Sequence, residues 1–121
     1  RILGYVNAPS FFQKVVAASW NAPCDYSPYE KRCTLLKEIM EHARLEYANP
    51  DGAFYLFINC SEVEPDSMKF CKELLEKAKV AVVPGVGFGM NGYFRLSFAT
   101  DLDSIKKGIE RISEFVKSYK K

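Results

Sequence analysis

Histidine is nearly absent from this chain, occurring once at His42, and the four cysteines (Cys24, Cys33, Cys60 and Cys71) include no C-x-x-C pair. That removes zinc sites of the usual spacing and leaves no supportable Ser-His-Asp arrangement. Cys33 and His42 could suggest a thiol and its base, but they are nine residues apart on one predicted helix. At 1.5 Å per residue they are separated by about 13.5 Å along the axis and cannot touch. A disulfide framework belongs to small secreted chains that lack a core, so free thiols in a reducing cytoplasm are the expectation. No apolar run approaches the roughly 18 residues of a membrane span. Neither sign of charge dominates, with 17 Lys and Arg against 15 acidic residues, which excludes the basic footprint of a nucleic-acid binder. The densest basic stretch (Lys106, Lys107, Arg111, Lys117, Lys120, Lys121) is interrupted by Glu110 and Glu114 and reads as a solvated helix face. Seven Gly and six Pro are too few for collagen-like or low-complexity classes. An initiator Met is missing too: the chain starts Arg1-Ile2-Leu3-Gly4-Tyr5, and the expectation is a piece of something larger.

What is present is apolar material. Of 121 residues, 48% are hydrophobic, enough to give one domain a real core. Pro9 suits a first helical turn, and Phe11, Phe12, Val15, Val16 and Ser19 follow at helical spacing, with Trp20 beyond them. Asn21-Ala22-Pro23 ends that helix. Ser27-Pro28-Tyr29-Glu30 has the pattern of a capping box, and Leu35, Leu36, Ile39, Met40 and Ala43 extend a helix from Pro28 to about His42.

Leu45 to Ala48 predicts a short strand, and Asn49-Pro50-Asp51-Gly52 a turn in which Gly52 accepts a positive φ. Ala53 to Cys60 is apolar on both faces, which predicts an internal strand covered on both sides and paired with the first as a hairpin. Asp66 precedes a helix with Phe70, Cys71, Leu74, Leu75 and Ala78 as its stripe. Val80 to Val83 predicts a strand, Gly85 to Gly92 a glycine-rich loop, and Tyr93 to Ala99 an alternating strand. Thr100 or Asp101 caps a last helix carrying Leu102, Ile105, Ile109, Ile112, Val116 and Tyr119. The order α-α-β-β-α-β-β-α predicts an α+β domain, with helices on a small, largely antiparallel sheet of about four strands.

Gly87-Phe88-Gly89-Met90-Asn91-Gly92 matches G-x-G-x-x-G, but a strand pattern follows where a dinucleotide site needs a helix N-terminus, so that reading is rejected. Arg95 carries more. Along its strand Phe94, Leu96 and Phe98 share one face, and Tyr93, Arg95 and Ser97 the other. A guanidinium on a rigid strand can grip a carboxylate with two parallel bonds; an Arg on a solvated strand face is the alternative, and the pattern alone favours it.

Three segments then occur in order: Pro50-Asp51-Gly52-Ala53-Phe54-Tyr55-Leu56-Phe57, Val82-Val83-Pro84-Gly85 with Phe88-Gly89, and Gly92-Tyr93-Phe94-Arg95-Leu96-Ser97-Phe98-Ala99. Together they resemble the C-terminal small domain of class I/II aminotransferases, the pyridoxal-phosphate enzymes related to aspartate aminotransferase. Asn7-Ala8-Pro9 is similar to the segment leading from the large domain into the small one, and Tyr29 to Leu36 to the helix before the hairpin. The resemblance implies residues 1–20 as linking segment and inter-domain helix, and residues 21–121 as the small domain. It implies that Arg95 binds the α-carboxylate of an amino-acid substrate and that Asn7 lies near the active site at a homodimer interface. Gly85 to Gly89 would shape the approach to the substrate.

The resemblance also implies what belongs elsewhere: the Schiff-base lysine, the Asp that pairs with the pyridine nitrogen, and the phosphate cup all belong to the large domain. No Lys here has the family's S-K context. The chain alone is therefore expected neither to hold pyridoxal phosphate tightly nor to transaminate. The first helix, with more apolar surface than one small sheet covers, is expected to leave an exposed patch through which the chain associates. Two rival readings stay open. One is a stand-alone α+β module holding an anionic small molecule with Arg95; the other is an interaction domain that docks by its first helix.

Overall fold

The structure is a computed structural model and describes residues 8–119. Its elements are α1 (Ser10–Ser19), α2 (Ser27–His42), β1 (Tyr47–Ala48), β2 (Tyr55–Asn59), α3 (Ser67–Glu73), β3 (Val83–Pro84), β4 (Tyr93–Ser97) and α4 (Leu102–Tyr119). A π-helical turn, Leu74–Ala78, continues α3, and a 3-10 turn, Gly85–Phe88, follows β3. The strands form one antiparallel sheet in the order β1-β2-β4-β3, so the α+β class and the element order agree with the sequence pattern.

The register of the central pair sorts the side chains. Leu56 lies opposite Leu96 and Ile58 opposite Phe94, all on the face that α2, α3 and α4 cover. Leu36 and Met40 of α2, Phe70, Cys71 and Leu74 from α3 and its π turn, and Ile105, Ile109, Ile112, Phe115 and Val116 of α4 close over them. Phe70 is the hinge of this packing: its ring stacks on Phe94 at 5.1 Å and meets Phe115 edge-on at 5.6 Å. Each such side chain removed from water contributes roughly 1.5–3 kcal/mol.

Several local expectations are corrected. Ser27 is the first residue of α2 rather than its cap, and the capping box with Glu30 does not form. Instead the Asp25 carboxylate accepts the Ser27 N–H at 2.9 Å, a bond that holds its carboxyl below the usual range. In the Pro50–Gly52 turn the positive φ falls on Ala53 (60°), not on Gly52. β2 is internal, but only Leu56 and Ile58 are fully buried; Tyr55, Phe57 and Asn59 are half-buried, so its second face is not closed. Val80–Val83 yields a strand only at Val83–Pro84, with Val80 serving the core instead. Leu75 and Leu102 are exposed, Leu75 because the π turn widens the helix just where the apolar stripe would continue.

The Asp66 cap is as expected, its carboxylate accepting from the Met68 and Lys69 N–H groups at 2.9 and 3.3 Å. The four thiols are free. Burial pushes Cys60 up to about 12 and Cys71 up to about 11, which keeps both protonated and inert. α1 buries none of its residues: Phe11, Phe12, Val15 and Val16 are 43% to 69% exposed, and Trp20 just beyond it is 81% exposed. The expected apolar patch is therefore present. No helix among the described residues is long and apolar enough to cross a membrane.

Candidate functional site

Alternation along β2 and β4 gives the sheet its second face, which no helix of the core covers. Tyr55, Phe57 and Asn59 point to it from β2, and Tyr93 and Arg95 from β4. Arg95 lies directly opposite Phe57 on one side and Val83 of β3 on the other. Its diagonal neighbour Tyr55 is close enough for the guanidinium carbon to sit 4.2 Å from the ring centroid. Phe57 in turn stacks on its own diagonal neighbour Tyr93 at 5.3 Å, with the planes 12° apart.

A second ring reaches Arg95 from outside the sheet. The 3-10 turn after β3 brings Phe88 to 4.7 Å from the guanidinium carbon and, edge-on, to 6.1 Å from Phe57. Local chemistry fixes that turn. Gly85 is buried so tightly that a Cβ there would stand 2.3 Å from the Met90 carbonyl oxygen and 2.5 Å from that of Tyr93. Gly89 ends the turn with φ of 79°, a conformation glycine adopts freely. The Val86 N–H donates to the Oγ of Ser67, which is wholly buried at the start of α3, and the Ser67 N–H donates to Asn91 Oδ1 at 2.9 Å.

Arg95 is thus a half-buried cation on an inner strand of the sheet, between β2 and β3, flanked by two rings. The ion pairs among the described residues are Glu64–Lys69 and Glu73–Lys77, and neither touches it. Stacking engages the π face of a guanidinium and leaves its in-plane N–H groups for an acceptor. The acceptor that matches this fork is a carboxylate, held by two parallel charge-assisted bonds.

Of the two site residues expected from sequence, Arg95 lies on this face between the two rings, and Asn7 lies outside the described residues. The sequence pattern does not point to Tyr55, Phe57 and Phe88 as its neighbours. Tyr55 and Phe57 share an outward face by alternation alone, but the diagonal contact needs the strand register, and Phe88 needs the fold of the turn. A groove of about 640 Å³ opens elsewhere, between the start of α2 and the Pro50–Phe54 turn, lined by Tyr26, Tyr29, Cys33 and Phe98 among others. It does not include Arg95.

Comparison with known proteins gives a family for the chain. The family model for aminotransferase class I and II matches residues 5–112. A probable aspartate/prephenate aminotransferase of Rickettsia felis is 36% identical over 122 residues, covering 88% of this chain and 30% of its own length. The aspartate aminotransferase of Bacillus subtilis is 38% identical over 124 residues, covering 93% of this chain and 32% of its own. Among solved structures, an amino transferase from Eubacterium rectale superimposes with a TM-score of 0.88 at 36% identity, over 100% of this chain and 30% of that one. The chain spans about a third of the length of the curated relatives it matches.

Proposed function

The chain belongs to the class I and II aminotransferases, and from that premise we propose that it is the C-terminal small domain of a pyridoxal-phosphate enzyme. That enzyme moves an amino group from an amino acid to a 2-oxo acid. The observation that carries the reading is Arg95, a strand-borne guanidinium stacked on two rings and without a carboxylate partner among the described residues. Both the amino acid and the 2-oxo acid carry the same carboxylate next to the reacting carbon. One rigid fork can therefore orient donor and acceptor alike, holding the reacting carbon at a fixed distance from the sheet.

The residues around Arg95 do not fit pyridoxal phosphate itself. The groups set against Arg95 are Tyr55, Phe57, Phe88 and Val83, which offer neither a Schiff-base amine nor a phosphate cup. In this reading the cofactor is held by the large domain, residues 1–20 lead from that domain, and the apolar face of α1 packs on it. Residues 21–121 form the small domain, and the assembled enzyme is a cytoplasmic homodimer.

The test is kinetic. Losing a charge-assisted bidentate pair costs about 1.5–3 kcal/mol, so Arg95→Ala in the complete enzyme raises KM for both co-substrates by roughly 10- to 150-fold. The 121-residue chain mixed with pyridoxal phosphate gives no stoichiometric absorbance band. An unchanged KM for both co-substrates overturns the role of Arg95, and a stable band overturns the placement of the cofactor.

A further inference from the structure

Phe88 is half exposed, and its ring adds little to the core. Yet the turn that carries it is one of the most constrained segments of the fold. Gly85 is wedged against two backbone carbonyls, Met90 donates to the Gly85 oxygen at 3.0 Å, and Val86 donates to the buried Ser67 hydroxyl at 3.2 Å. The product of that constraint is the position of one ring, 4.7 Å from the guanidinium carbon of Arg95 and braced edge-on by Phe57.

We propose that Phe88 is a positioning residue: with Tyr55 it restricts the Arg95 side chain to one presentation, so that the fork is set before a carboxylate arrives. The proposal rests on the reading of Arg95 as the carboxylate binder. An unrestrained Arg side chain carries considerable rotamer entropy, part of which is lost each time the fork closes on a ligand. Two stacked rings remove part of that freedom in the free protein, which raises affinity without touching the ligand. Phe57 supports the arrangement from the opposite position on β2, where its ring holds both Phe88 and Tyr93.

The experiment compares Phe88→Ala, Phe88→Leu and Phe88→Tyr in the complete enzyme with Arg95→Ala as the reference. A one-dimensional readout of position accompanies it, the Arg95 Nε–H resonance of the ¹⁵N-arginine-labelled protein, which two nearby rings displace from the ordinary arginine envelope. The expected result for Phe88→Ala is a KM about fivefold higher for amino acid and 2-oxo acid alike, the loss of one stacking contact, with kcat unchanged. The Nε–H signal moves back towards the envelope. Phe88→Leu behaves like Phe88→Ala although it keeps much of the bulk, and Phe88→Tyr restores both readouts. Should Phe88→Ala fail to fold, the contrast between Leu and Tyr decides the matter alone. KM values that stay at the wild-type level in Phe88→Ala and Phe88→Leu, while Arg95→Ala raises them, overturn the positioning role and leave the carboxylate reading intact. KM values unaffected by Arg95→Ala overturn the carboxylate reading, and the positioning role falls with it.

Discussion

Replacing Gly85 by Ala adds one methyl group where the structure has no room for it. The new Cβ would lie 2.3 Å from the Met90 oxygen, 2.5 Å from the Tyr93 oxygen and 2.9 Å from the Tyr93 carbonyl carbon. Ordinary carbon–oxygen contacts begin near 3.3 Å, so the overlap is about 1 Å. All three obstacles are backbone atoms, and two belong to β4, which is paired on both sides. No side chain can swing away, so the turn must lift off the strand. Lifting stretches the bond from Met90 to Gly85 and the bond from Val86 to Ser67. Overpacking of this kind costs about 1–3 kcal/mol, and each bond lost about 0.5–1.5 kcal/mol more. Against this, an Ala reduces the freedom of the unfolded chain by about 0.4–1 kcal/mol. The expected net loss is about 3 kcal/mol, a large part of the roughly 5–15 kcal/mol available to a domain. Equilibrium urea denaturation measures it, with Gly52→Ala as the control. Gly52 has no positive φ and nothing within 4 Å of its would-be Cβ, so that variant is neutral or slightly stabilised. A Gly85→Ala protein less than about 1 kcal/mol below wild type refutes the steric argument.

Two other outcomes follow from buried or shifted polar groups. Ser67→Ala removes only the buried hydroxyl but orphans the Val86 N–H, so about 1–3 kcal/mol of stability is lost in the same denaturation experiment. Asp101 is held at about 2 by the Ser104 side chain and then by the Ser104 backbone N–H at the start of α4. Because its folded value lies below the ordinary value of 3.8, the unfolded chain binds the proton more readily. The stabilisation is therefore complete above about pH 4 and is lost as pH falls towards 2. Thermal unfolding across that window shows a shallower acid limb in Asp101→Asn than in wild type; parallel limbs would show that the cap does not titrate.

Much of this fold was legible because hydrophobic periodicity reports what a face is packed against. The stripe from Leu35 to Met40, the Asp66 cap and the Ile105–Val116 series of α4 are each local patterns with local causes. The failures are equally specific. Ser27 carries the cap signature, but Asp25, two residues earlier, accepts the Ser27 N–H that Glu30 would take in a capping box. Pro-Asp-Gly marks the turn, but which residue takes the left-handed conformation depends on how β2 leaves it, and that residue is Ala53. The π turn at Leu74–Ala78 has no sequence signal of its own, so the apolar stripe points Leu75 to a core it does not enter. At the site, the alternation of β4 was enough to put Arg95 on the face away from the core. Its two rings were hidden because Tyr55 is forty residues before it and Phe88 reaches it only through the Gly85 turn.

The strand that presents Arg95 also has Phe94 pointing the opposite way, and β2 has the same alternation opposite it. If β4 slipped by one residue against β2, every side chain would change sides, sending the guanidinium into the Phe70–Phe115 packing and Phe94 into water. The core would reject that arrangement on energetic grounds, with no reference to any ligand. Fidelity at the recognition surface is thus inherited from the folding reaction: a molecule that has closed its core has, by parity, already aimed its arginine.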